Sequence, residues 1–216
     1  MAAGQPPAIP APAPALRVCA FVDGYNLFKS AKQCFGYNHP NYDIKRLIEA
    51  VVGMAAGRQL SSAHFYVGIP SSLDDPKNSV WWAKKLAAMG RTGVRVETRQ
   101  LKHRELRIHL EGLIKFDKTV PRLVEKGIDL KIGLDMVRLA RSNAYEVAIL
   151  FSQDGDLVEA VAEVQAIAAE QHRRIQVECA YPVAAGIDSR PINRAVPRQI
   201  TKAIYDGCID PADYRR

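Results

Sequence analysis

The sequence is poor in cysteine. Its four cysteines, Cys19, Cys34, Cys179 and Cys208, are far apart and form no C-x-x-C pair. This argues against a zinc ribbon or a disulfide scaffold. Cys19 and Cys179 sit in apolar, strand-like runs where cysteine behaves as a small hydrophobe, so a reducing, cytoplasmic setting is expected. No apolar run approaches the length of a membrane span. The N-terminus lacks a basic leading segment and prolines break its apolar residues, so it does not read as a signal peptide. The five histidines (His39, His64, His103, His109 and His172) show no ligand spacing and are expected to have no chemical role. Acids are in deficit: 23 Asp and Glu stand against 30 Lys and Arg, a formal net charge of +7. Such a balance points to a polyanionic partner, nucleic acid before membrane. No internal repeat is present.

What is there is enough for one domain. Of 216 residues, 48% are apolar, which can build a full core. Residues 1–15 are Ala/Pro-rich, bury little and are read as a disordered tail. Apolar strands are expected at 16–22, 63–69, 93–98, 146–152 and 174–180. Helices are expected between them, at about 43–56, 76–89, 128–141 and 156–172. Residues 24–42 read as a loop with a helical turn near 27–32. Residues 99–127 show no clean period and read as a basic insert. From Lys84 to Lys126 there are 12 Lys and Arg against 5 Asp and Glu, a net of +7 that equals that of the whole chain. The Pro-interrupted stretch 183–216 reads as a C-terminal extension. Alternating strands and helices imply an α/β fold, a parallel sheet with helices on both faces.

In such sheets ligands bind beyond the carboxyl ends of the strands. Asp23, in RVCAFVDGYN, and Asp154 and Asp156, in VAILFSQDGD, lie just past two of those ends. Asp129, in EKGIDLKIGLDM, begins a helix that would follow such an end. The three stretches are therefore expected to meet at one sheet edge and hold a divalent metal. Crowded carboxylates repel one another, whereas Mg²⁺ or Mn²⁺ reverses that cost and can activate water and neutralise phosphoryl charge. Each residue also has an ordinary structural alternative. Asp156 with Glu159 forms a D-x-x-E capping box, Asp129 can be a plain N-cap, and Asp154 before Gly155 can form an Asx turn. Asp23 is hardest to dismiss, because an acid ending a buried strand is costly without a partner. Asn26 can orient Asp23 or serve its loop, Ser152 can bind a ligand or the turn backbone, and Asp135 is either a supporting residue or a solvated helix residue. Trp81 and Trp82, beside Lys84 and Lys85, can stack bases or fill core. Arg99, Lys102, Arg104, Arg107 and Lys126 can bind phosphates or form a solvated charged segment.

The segments FVDGYNL, EKGIDLKIGLDM and ILFSQDGDL together resemble the NYN domain family of PIN-like, metal-dependent ribonucleases. The resemblance covers about residues 16–182 and the motifs come in the family's order. It implies a three-layer α/β/α, Rossmann-like sandwich with a parallel sheet of about five strands ordered 3-2-1-4-5. It also implies an acidic pocket that binds Mg²⁺ or Mn²⁺ and hydrolyses RNA, endonucleolytically rather than from an end. Asp23, Asp129, Asp154 and Asp156 would be the catalytic metal ligands, with Asn26, Asp135 and Ser152 in support. Gln153 and Leu157 depart from the Gly or Ser and the aromatic that the family often shows there. The competing reading is an RNA-binding scaffold of the same fold with little or no activity. An Asp-nucleophile phosphatase is disfavoured, because Tyr25 occupies the second place of its D-x-D. Paired protomers would widen the basic surface, but no residue decides whether the chain forms a homodimer.

Overall fold

The computed structural model describes residues 14–110 and 116–215, with side chains described outside 104–122. Most of the Ala/Pro-rich head, residues 1–13, lies outside the described residues.

The first strand, β1 (Leu16–Asp23), is sealed by helices on both faces, and every residue from Val18 to Asp23 is buried. Helix α1 (Gly24–Phe35) follows with no loop between, because the Asp23 side chain caps it by accepting the N–H of Asn26 at 2.9 Å. The expected helical turn is thus a full helix, closed by Gly36 in the left-handed region. Asp43 caps α2 (Ile44–Val52) through the N–H of Arg46, as the sequence suggests. Then come β2 (Arg58–Ile69), α3 (Pro76–Arg91) with Pro76 in its first turn, and β3 (Arg95–Gln100). Strands β4 (Lys102–Leu110) and β5 (Phe116–Val124) pair antiparallel, from Lys102 opposite Val124 to Leu110 opposite Phe116. The basic insert therefore contains a two-stranded ribbon, apart from the main sheet. Helix α4 (Ile128–Arg141), β6 (Val147–Phe151), a 3-10 turn at Gly155–Leu157, α5 (Val158–Glu170) and β7 (Gln176–Pro182) complete the expected alternation.

The main sheet runs β3-β2-β1-β6-β7 and is parallel throughout, which is the expected 3-2-1-4-5 once the ribbon is set aside. A sixth parallel strand, β8 (Val196–Ile200), extends it beyond β7, and α6 (Lys202–Asp206) follows. The chain after Pro182 thus builds part of the sheet. Alternation along β1 divides the core. Val18, Ala20 and Val22 face α1, α2, α3 and α6, while Cys19 and Phe21 face α4 and α5. The two layers of helices bury both faces, and this burial drives folding.

Charged groups away from the sheet edge also lie inside this core. Glu178 of β7 has no exposed surface and is clamped by Arg58 of β2, at 2.6 and 2.9 Å, and Arg198 of β8, at 2.6 and 2.8 Å. Lys85 of α3 is 1% exposed. Its Nζ donates to the Tyr42 carbonyl at 3.0 Å and to Asp210 at 3.1 Å, and lies 5.1 Å from the Tyr214 ring centre. Lys85, a candidate beside Trp81 and Trp82 to meet RNA, is instead held inside the fold. Helical periodicity turns it inward, whereas the apolar Val80 of the same helix is 54% exposed.

Candidate functional site

The acids gather at the carboxyl edge of β1, β2 and β6. Asp23 is 3% exposed. Besides the Asn26 N–H, it accepts the Ser152 hydroxyl at 3.3 Å. Burial pushes its carboxyl from 3.8 up to about 7, and the charges of Glu125 and Asp129 push in the same direction. The Asn26 amide oxygen accepts the N–H of Gln153 at 3.0 Å, tying the first turn of α1 to the end of β6. Ser152 also accepts the Asp154 N–H at 3.2 Å. One hydroxyl thus links the acid that ends β1 to the backbone of the acid that follows β6.

Asp154 forms the Asx turn that its glycine neighbour suggests, accepting the Asp156 N–H at 3.0 Å and capping the 3-10 turn. The capping-box role of Asp156 is not used, since α5 starts after Leu157 with no side-chain cap. Nor does Asp129 cap α4, whose N-cap is Gly127 in the left-handed region. Asp129 sits in the first turn of α4, where the helix dipole favours an anion. Its carboxyl is nevertheless raised, by burial first and then by Asp154 and Asp156. A fifth acid, Glu125, accepts the N–H of Gly68 at the end of β2 and is raised by burial and by Asp129. Sequence reasoning passes over Glu125, although it stands within the EKGID stretch. Among the described residues, none of the main influences on Asp23, Glu125 and Asp129 is a cation.

Asp135 lies elsewhere, 3% exposed on the inner face of α4. It accepts from the Tyr66 hydroxyl at 2.9 Å, Lys131 at 2.9 and 3.0 Å and Arg138 at 3.0 Å. Burial alone would raise it, but these partners hold it below the usual carboxylate range. Its oxygens are occupied by the fold and anchor α4 to β2. Of the basic residues, Lys84, Arg99, Lys102 and Lys126 are exposed. The Arg99 guanidinium lies 3.9 Å from where a side chain on Gly127 would begin, next to the K-G-x-D element. The side chains of Arg104 and Arg107 lie outside the described residues.

Among the described residues, no three His, Cys, Asp or Glu side chains form a ready-made cage for a metal ion. The donor chemistry nevertheless fits a hard divalent cation, because the set is all carboxylate oxygen, partly buried and mutually repelling. Mg²⁺ usually keeps several waters and takes only one or two protein carboxylates together with substrate phosphate, so a loosely spaced set suits it.

A parallel sheet with an acidic carboxyl edge between two helical layers defines a Rossmann-like, PIN-like fold. The model of the NYN domain matches residues 17–179, and the chain belongs to that family. An NYN domain has a PIN-like nuclease fold, is generally RNA-related and generally depends on a divalent metal. Among solved structures, the chain is similar to a protein of unknown function from Vibrio parahaemolyticus. The two share 16% identity at a TM-score of 0.51, over 87% of this chain and 93% of that one, a likeness of fold alone. No curated protein matches the chain. Among the described residues, no helix is long and apolar enough to cross a membrane.

Proposed function

We propose that the chain is a metal-dependent endoribonuclease acting in RNA processing or turnover. The observation that carries this reading is the acid set at the sheet edge, where burial and neighbouring carboxylates raise Asp23 and Asp129 and no cation among the described residues is a main influence on either, in a chain whose net charge is +7. A fold keeps such a set against its own repulsion when function requires it. Asp23, Asp129, Asp154 and Asp156 would hold Mg²⁺ or Mn²⁺, and Glu125 joins them as a fifth oxygen donor. The bound ion would lower the pKa of an attacking water and neutralise phosphoryl charge. Ser152 and Asn26 fix Asp23 and the β6 turn relative to each other, so the acids on β1 and β6 keep one spacing. Lys84, Arg99, Lys102 and Lys126, with Arg104 and Arg107, would draw in the RNA backbone, and their contribution should fade with salt. The four cysteines are free thiols, three of them buried, which suits a reducing, cytoplasmic setting.

The test is cleavage of RNA by purified protein in Mg²⁺, in Mn²⁺ and in chelator, beside Asp154→Asn. Expected is metal-dependent cleavage that falls roughly 100-fold or more in the variant, since even residues that only support a metal ligand are worth about 10–100-fold. RNA binding should survive. Undiminished cleavage by the variant would overturn the assignment, and salt-sensitive binding without any cleavage would favour the scaffold reading.

A further inference from the structure

A groove of about 910 Å³ opens beside the acids. Its walls carry six aromatic side chains: Tyr25, Phe28, His39, Trp81, Trp82 and Tyr214. It is continuous with the acidic edge, because Gly24, next to Asp23, and Gly68, whose N–H Glu125 accepts, both line it. The rings on its α3 side are held in a fixed ladder. Phe65 and Trp82 have centroids 6.4 Å apart, Trp82 and Trp81 meet edge to face at 4.9 Å, and Trp81 meets Tyr214 at 6.0 Å and 86°. Beneath them the Lys85 ammonium lies 5.6 Å from the Trp81 ring centre. Two apolar side chains of this groove stay in water at a cost: Tyr25 is 51% and Val80 54% exposed.

The charge around the rings narrows the choice of occupant. Helices α1 and α3, which wall the groove, carry the exposed cations Lys29, Lys32, Lys77, Lys84 and Arg91 and no Asp or Glu. Of these, Lys77 lines it directly, as does Arg215, together with one acid, Asp75, whose carboxylate caps α3. Flat apolar rings inside a cationic surround match the two faces of a single strand, with bases stacked on the rings and phosphates turned to the lysines. A proline-rich peptide also favours aromatic-lined grooves, but being neutral it would draw nothing from the basic walls. A duplex keeps its bases stacked on each other and has none to offer.

We propose that this groove holds unstacked bases of single-stranded nucleic acid and so presents the neighbouring phosphodiester to the acids. The cutting rests on the nuclease reading above, whereas the binding rests on the groove alone. The groove is best tested in chelator, where cleavage is off, by fluorescence anisotropy with a labelled single-stranded RNA. The comparisons are an abasic chain of equal length, a duplex, and the variants Tyr25→Ala and Val80→Glu. Both replaced side chains are more than half exposed, and circular dichroism would verify that the fold is kept. Expected is binding of the single strand about tenfold or more tighter than of the abasic chain or the duplex, and at least about fivefold loss in each variant. Equal affinity for the abasic chain, unchanged affinity in both variants, or displacement of the RNA by a neutral proline-rich peptide would each overturn the proposal. Base-dependent binding without cleavage in Mg²⁺ would sink the nuclease reading and leave this one standing. Metal-dependent cleavage with an unchanged KM in both variants would do the reverse.

Discussion

Asp23→Asn is expected to abolish cleavage and, in chelator at pH 8, to make the protein more stable than the wild type. The two effects share one cause. The Asp23 carboxyl is buried at the end of β1, and its pKa is raised from 3.8 to about 7. A carboxyl raised on folding adds stability only while it is protonated. That stability is fully present below about pH 4, drains away as pH rises, and is gone above about pH 7. Asparagine carries no charge to desolvate. It can still accept the Asn26 N–H as an N-cap, and the Ser152 hydroxyl can turn to accept from its amide. The gain at pH 8 is expected to be roughly 2–4 kcal/mol, since a tenfold change in acidity is worth about 1.4 kcal/mol. For a chain of this size that is a rise in Tm of about 4 °C or more. Near pH 4 the two proteins should melt together. Adding Mg²⁺ at pH 8 should stabilise the wild type and leave the variant unmoved, because an ion bound only by the folded site raises its stability. Thermal melts at the two pH values, with and without Mg²⁺, check this. A variant that melts lower than the wild type in chelator at pH 8 would contradict it.

Glu178→Ala should have the opposite character, a heavy loss of stability with no direct touch on the acids. Glu178 has no exposed surface and neutralises both Arg58 and Arg198. Removing it strips the counter-charge from the nearly buried Arg58 guanidinium and the partly buried Arg198 guanidinium. Breaking a buried ion pair in this way costs about 3–5 kcal/mol, or about 10 °C in Tm. Burial works against ionisation of Glu178, but the two arginines outweigh it and hold the carboxyl below the usual range. The stability it lends is therefore present at neutral pH and lost on acidification. Replacing all three together, Arg58→Met, Glu178→Leu and Arg198→Met, should restore most of the loss, since apolar groups of similar size fill such a site at little cost. Urea unfolding of the single and triple variants decides the matter. A Glu178→Ala protein within about 1 kcal/mol of wild type would show that water reaches the arginines.

The contrast between these two acids shows where sequence reading succeeds. The strand-helix alternation, the parallel sheet and the edge that gathers Asp23, Asp129 and Asp154 were legible, because hydrophobic period and turn chemistry are local. Glu178 sits in an apolar strand just as Asp23 does, yet its partners are 120 residues upstream and 20 downstream. A buried acid in a strand announces that a partner exists but not which one. The partner of Asp135 is hidden for the same reason, since its position faces Tyr66, and no spacing within α4 reveals that. The ribbon of β4 and β5 leaves a fainter trace. Leu106, Ile108 and Leu110 alternate with charged or polar residues, but over too few positions to stand out among so many charges. Lys85 is misplaced by sequence alone because the apolar residues of α3 do not mark it as part of the inward stripe. The tail that neutralises Lys85 through Asp210 comes 125 residues later.

That tail gives the two ends of the described chain unequal practical value. Asp210 holds Lys85, Tyr214 lies edge-on to Trp81, and Arg215 lines the aromatic groove. Arg215, the last described residue, therefore lies on the wall of that groove. By contrast, β1 begins at the opposite end of the sheet from Asp23. A fluorescent reporter attached at residue 215 would crowd the path to the acids and compete with Tyr214 for its seat. The same label on the exposed Leu16, at the start of β1, leaves both clear, and a pair of proteins labelled at either position is a ready steric probe of this surface.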